Sequence, residues 1–119
     1  MKYKLSILIA ALVVAAGSLA GAASASAGGV YVITPHWWGW CPSSGVHAVY
    51  YFNQTNGATG GDAGDDIVWV PVYLNQTNFL TVTVQCNAAW ESSGTYTNIR
   101  PTRTGQAWYI GSGGGTWHN

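Results

Sequence analysis

Beyond an apolar N-terminal run, hydrophobic and polar residues alternate with period two in short stretches, punctuated by Gly, Asn, Thr and Pro. That period belongs to half-buried strands, and no helical spacing follows residue 27. Residues 30–34 predict a first strand. Residues 46–52 predict a second, with Val46, Ala48, Tyr50 and Phe52 on one face and His47, Val49 and Tyr51 on the other. Residues 67–74 predict a third. Its Val68, Val70, Val72 and Leu74 face one way, and Ile67, Trp69 and Tyr73 the other. Pro71 shares that second face and cannot donate to a ladder, so this strand is an edge or is bulged there. Residues 79–86 predict the clearest strand. Leu80, Val82, Val84 and Cys86 point to a core, while Thr81, Thr83 and Gln85 point to solvent. Weaker strands are expected at 96–100, 107–110 and 116–118.

One pattern repeats. Tyr51-Phe52-Asn53-Gln54-Thr55-Asn56 is echoed by Tyr73-Leu74-Asn75-Gln76-Thr77-Asn78. Both copies read as strand ends, because Asn favours turns and tolerates positive φ. The second copy predicts a tight hairpin between the third and fourth strands. Each copy is also an Asn-x-Thr glycosylation acceptor, which matters only in a host that glycosylates. The sum is an all-β fold, a small single-domain antiparallel β-sandwich of six or seven short strands.

The N-terminus changes the picture of compartment. Lys2 and Lys4 precede an apolar run over residues 5–16, followed by small residues, which is the layout of a secretory signal peptide. Ala23-Ser24-Ala25 and Ala25-Ser26-Ala27 both fit a cleavage site. The expected cut follows Ala27, giving a signal peptide over 1–27 and a secreted domain over 28–119. A membrane span would need about 20 apolar residues, and this run turns Gly- and Ser-rich too early. Cleavage removes both lysines. Arg100 and Arg103 then stand against Asp62, Asp65, Asp66 and Glu91, a formal charge of −2. A nucleic-acid partner calls for a basic patch and is not expected; nor is charge-driven membrane binding after cleavage.

In an exported chain, Cys41 and Cys86 predict one disulfide. The closed loop of about 45 residues makes it worth roughly 4 kcal/mol in the chain-entropy model. All 7 tryptophans lie after residue 27. Three of them crowd His36-Trp37-Trp38-Gly39-Trp40-Cys41, between Pro35 and Pro42. The flanking prolines argue against a helix and predict an extended, aromatic segment pinned by the disulfide. One indole is expected on the bridge and the others at the surface, where aromatic patches mark interaction sites. Tyr31, His36, Trp37, Trp38 and Trp40 are therefore the candidate binding residues. The strand at 30–34 either completes the domain's own sheet or adds to a partner's edge.

Other chemistry is weaker. Asp62-Ala63-Gly64-Asp65-Asp66 could offer carboxylates to Ca²⁺, but it lacks the EF-hand spacing and reads as a solvated loop. His36, His47 and His118 are scattered and predict no zinc site. Neither a Gly-x-Ser-x-Gly elbow nor room for a carboxylate-lined cleft argues for an enzyme, although Glu91 with an Asp could in principle form a glycosidase pair. No cofactor is expected. Gly111-Ser112-Gly113-Gly114-Gly115 is either a loop that folds a last strand back or a tail.

In size, export and β character the chain resembles two classes of small secreted β proteins. These are tendamistat-like amylase inhibitors and the β adaptors of exported multi-subunit toxin particles. The inhibitors' Trp-Arg-Tyr triplet and second disulfide are not present. The expected function is a non-enzymatic, protein-binding β domain. It would be an adaptor subunit of a larger exported, toxin-type complex or an inhibitor of an extracellular enzyme. The alternative is a glycan-binding or antimicrobial module whose tryptophans contact cell-wall or other sugars.

Overall fold

The computed structural model describes residues 26–119. The expected signal segment lies outside that range except for Ser26 and Ala27, which belong to the first strand. Eight strands form, β1 (Ser26–Ile33), β2 (Val46–Asn53), β3 (Ala58–Ala63), β4 (Ile67–Leu74), β5 (Asn78–Cys86), β6 (Ser93–Ile99), β7 (Ala107–Ile110) and β8 (Thr116–His118). Short 3₁₀ turns span His36–Trp38 and Ala89–Glu91. The strands make two four-stranded sheets, in the orders β4-β1-β7-β8 and β3-β2-β5-β6.

The two sheets bury one valine-rich core. Val30 and Val32 from β1 and Val68, Val70 and Val72 from β4 meet Val49 from β2 and Leu80, Val82 and Val84 from β5. These are the inward positions of the alternating pattern. β-Branched side chains pack well on a pleated surface, which is why the same residues favour strands. Ile99, Trp108 and Ile110 close the core, with Trp40 and the Cys41–Cys86 bridge at one end.

Three expectations need correcting. The sandwich is not wholly antiparallel, because β1 and β7 pair in parallel, with Val32 opposite Trp108. The described residues form eight strands because residues 58–63, which look like loop, pair with β2 from Ala48↔Ala63 to Asn53↔Ala58. The repeat also divides differently. Its first copy carries the tight β2–β3 hairpin, whereas its second copy crosses from one sheet to the other, so β4 and β5 are not partners.

The side chain of Asn78 explains the crossing. It accepts from the Tyr73 amide and donates to the carbonyls of Tyr73 and Gln76, so it takes the place of a neighbouring strand. Asn75 adopts φ 61, which Asn tolerates. The two copies then meet, because Asn53 Nδ2 donates to Asn78 Oδ1 at 3.0 Å inside the core. Both side chains are fully buried and each finds partners, as buried amides must. Asn53 and Asn56 also donate to the carbonyl of Pro71. Pro71 lies on β4, an edge strand, as its missing N–H requires.

β1 pairs on both sides, with β4 and with β7, so its backbone is used at home. The Gly-rich run folds β8 back onto β7, with Tyr109 opposite Trp117. Gln106 helps dock that end. Its buried side chain accepts from Trp108 Nε1 and from the Thr102 amide, and it donates to the carbonyl of Asn119.

Candidate functional site

The tryptophan segment is not extended. Pro35 has ψ 144 and precedes a 3₁₀ turn over His36–Trp38, which Gly39 ends at φ 96. Proline fixes its own φ and needs no donor at the start of a turn, so it initiates this one instead of forbidding it. Gly39 supplies the left-handed residue that closes it. The alternation expected for a strand is therefore lost, and each indole has its own fate.

Trp40 is 0 % exposed and donates from Nε1 to the carbonyl of Ile110 at 2.7 Å. It joins the bridge as a core residue and offers nothing to a partner. Trp38 is half-buried, with its ring and carbonyl against Gly111. The Ser112 amide donates to that carbonyl and ties the turn to the end of β7. Trp37 is 67 % exposed and contacts His36 edge-on, with centroids 5.3 Å apart. Tyr31 is exposed on a different surface, the outer face of the β1 sheet.

The bridge end carries a further indole that the spacing of the first three does not reveal. Trp90 is 80 % exposed on the turn Ala89–Glu91, just past Cys86. Around it, Glu91 accepts from the amides of Ser43 and Ser44 and from the Ser44 hydroxyl. These bonds, with the Ser44 hydroxyl foremost, hold its carboxyl below the usual range. Asn87 donates to the carbonyl of Ser44, and Ser92 accepts from the amide of Cys86. Cys41 sits at φ 46, an unfavourable conformation for a residue with a Cβ, and is held there by the bridge and by the Gly45 amide donating to its carbonyl. Trp37 and Trp90 thus stand on two turns joined by the disulfide.

Next to Cys41 lies a pocket of ≈ 330 Å³ lined by His36, Cys41, Pro42, Gly45, Val46, Asp65 and Asp66. Asp65 Oδ1 accepts from the Ile67 amide in a local turn. Among the described residues, no three His, Cys, Asp or Glu side chains come close enough together to hold a metal ion. His118 is far from His36 in the chain and stacks on Trp108, with centroids 4.3 Å apart.

The outer face of the sheet holding Tyr31 is aromatic as well. One row across it runs Ile67, Ile33, Tyr109, Trp117, and the next runs Trp69, Tyr31, Ala107. The outward set of β4 was legible in its alternation. The row was not, because it depends on which strands lie side by side.

The fold and the bridge end define a small disulfide-locked β-sandwich with exposed aromatic side chains at the bridge end and on the outer faces of both sheets. No protein-family model matches the chain, and no match is found among curated proteins or solved structures. Among the described residues, no helix is long and apolar enough to cross a membrane.

Proposed function

We propose that this is a secreted, non-enzymatic domain that binds another exported protein through its bridge end, as an adaptor of a larger complex or as an inhibitor of an extracellular enzyme. The observation that carries the reading is the pair Trp37 and Trp90, both highly exposed on turns that a disulfide, Glu91 and buried neighbours immobilise. Large apolar side chains are normally buried, and indoles are the commonest anchors of protein interfaces. A rigid anchor loses little conformational entropy on binding, which favours affinity. His36 lies beside Trp37 and lines the adjoining pocket, which could receive a polar side chain of the partner. The disulfide suits an oxidising compartment, in keeping with export.

The test is capture from culture supernatant of the source cells, with the domain as bait. A hydrolase as partner supports the inhibitor version, and a large multidomain protein supports the adaptor version. Trp37→Ala and Trp90→Ala should each cost about 2 kcal/mol of binding, roughly 30-fold in affinity, with unfolding unchanged. If native supernatant contains only free monomer, and both variants capture the same proteins as the original, the proposal fails.

A further inference from the structure

The second aromatic surface, on the β4-β1-β7-β8 sheet, is independent of the bridge end and has its own geometry. Gly29 lies on the outward side of β1, between Val30 and Gly28, yet it is buried. Trp69 covers it. A Cβ at position 29 would lie 2.1–2.7 Å from three atoms of the indole, Cζ2, Cε2 and Nε1. Such an approach to several ring atoms at once means that the indole lies flat on the backbone, in space that only glycine leaves open. Trp69 is nevertheless 43 % exposed, so its other face is turned to solvent. Tyr31 meets it at an interplanar angle of 72° with centroids 4.9 Å apart, a wall beside a floor.

A second ledge lies across the same sheet. Tyr109 and Trp117 are paired at 5.3 Å and 55°. Two strand spacings separate β8 from β1, so the two ledges are on the order of 10–15 Å apart. The rows between them, Ile67–Ile33 and Tyr31–Ala107, carry no charged residue. The polar groups there are phenol hydroxyls and, at the margin, the Asn119 side chain, which accepts from Arg103 and from the Ala107 amide.

We infer that this face is a binding site for a neutral polysaccharide, with pyranose rings stacked on Trp69 and on the Tyr109–Trp117 ledge. A pyranose with equatorial hydroxyls is flat and presents axial C–H bonds on its faces. These are attracted to the negative face of an indole as an apolar surface is, while the rim hydroxyls remain free for tyrosine O–H and amide groups. The rows between the ledges are uncharged, which matches an uncharged ligand, and Arg103 lies only at the margin, bonded to Asn119. Two separated ledges require a chain of several sugars instead of a single ring. The domain would then hold a glycan on one sheet and its protein partner at the bridge end.

The test uses the exported protein and two insoluble polymers, chitin and cellulose, with soluble oligomers of each as competitors. Retention on at least one polymer, released by its own oligomer and little affected by 0.5–1 M salt, is expected, since an uncharged contact is not screened. Trp69→Ala should lower affinity at least tenfold, and Trp69→Tyr should restore most of it. Trp117→Ala should weaken long oligomers more than short ones. Tyr96→Ala, on the opposite sheet, should change nothing. Absence of retention on both polymers overturns the inference, as does retention that survives the double substitution of Trp69 and Trp117 by Ala. Neither result bears on Trp37 and Trp90, whose partner is read out separately.

Discussion

Single residues of the tryptophan segment have separate roles although they are neighbours in the chain. Trp40 fills the core beside the bridge, with its one donor satisfied by Ile110, so Trp40→Ala leaves a large cavity and an orphaned carbonyl. It should lower stability by about 3–5 kcal/mol. Trp37→Ala removes an exposed ring from a turn whose bonds are all backbone, and should change stability by no more than about 0.5 kcal/mol. Urea denaturation of the two variants, followed by far-UV circular dichroism, checks both; a similar large loss in each would make Trp37 scaffold. The crowding of indoles near Cys41 is plain in the sequence, and so is the expectation that one packs on the bridge. Which one does so follows from the 3₁₀ turn, whose start at Pro35 resembles a break in the helix pattern.

At the scale of elements, the Glu91 turn is held by charge as well as by geometry. Its carboxyl accepts from Ser43 and Ser44, and its folded-state affinity for a proton is lowered. A depressed carboxyl stabilises the fold above its ordinary titration range, and that contribution is lost as pH falls through the lowered value. The loop around Trp90 should therefore loosen in acid before the sheets do. Hydrogen exchange of the Ser43 and Ser44 amides at pH 6 and at pH 3 measures this, after correction for intrinsic rates. Protection should fall at the lower pH, and Glu91→Gln should remove most of the difference. Unchanged protection would mean that the neutral side chain holds the turn equally well. Elements were largely legible from period two. β4 and β5 show their inward sets without ambiguity, and β7 and β8 have the expected bounds. β3 was hidden because Ala, Gly and Asp have low strand propensity, and its pairing is supplied by β2. Tyr50 and Tyr51 lie over Gly61 and Gly60, covering backbone that those glycines leave bare.

For the molecule as a whole, the sheets are tied together near both ends of β5. Near its start, Asn78 bonds Tyr73 of β4 and the neighbouring Asn53 of β2 bonds Pro71 of β4, and at its finish Cys86 is bridged to Cys41. A domain of this size buries a modest share of its unfolded surface, so cross-links matter. The bridge closes a loop with a sequence separation of 45. Breaking it with Cys41→Ala and Cys86→Ala together should cost about 2–5 kcal/mol. Thiol labelling of the denatured, unreduced protein should find no free cysteine, and labelling of both would refute the bridge.

By itself the sequence determined the class of fold, the disulfide, the inward faces of the main strands and the concentration of aromatic side chains. These follow from local alternation, from the presence of two cysteines and from composition, none of which needs a partner strand to be read. Tertiary structure decided the rest. The two copies of Asn-Gln-Thr-Asn are alike in letters, yet one closes a hairpin and the other crosses between sheets, because Asn78 holds the end of β4 while β5 pairs with β2, and Asn53 reaches Pro71 only once the sheets are stacked. Trp69 and Trp117 share a surface only because β1 and β7 lie between them. Side-chain alternation assigns a residue to a face, but only strand order assigns that face its neighbours.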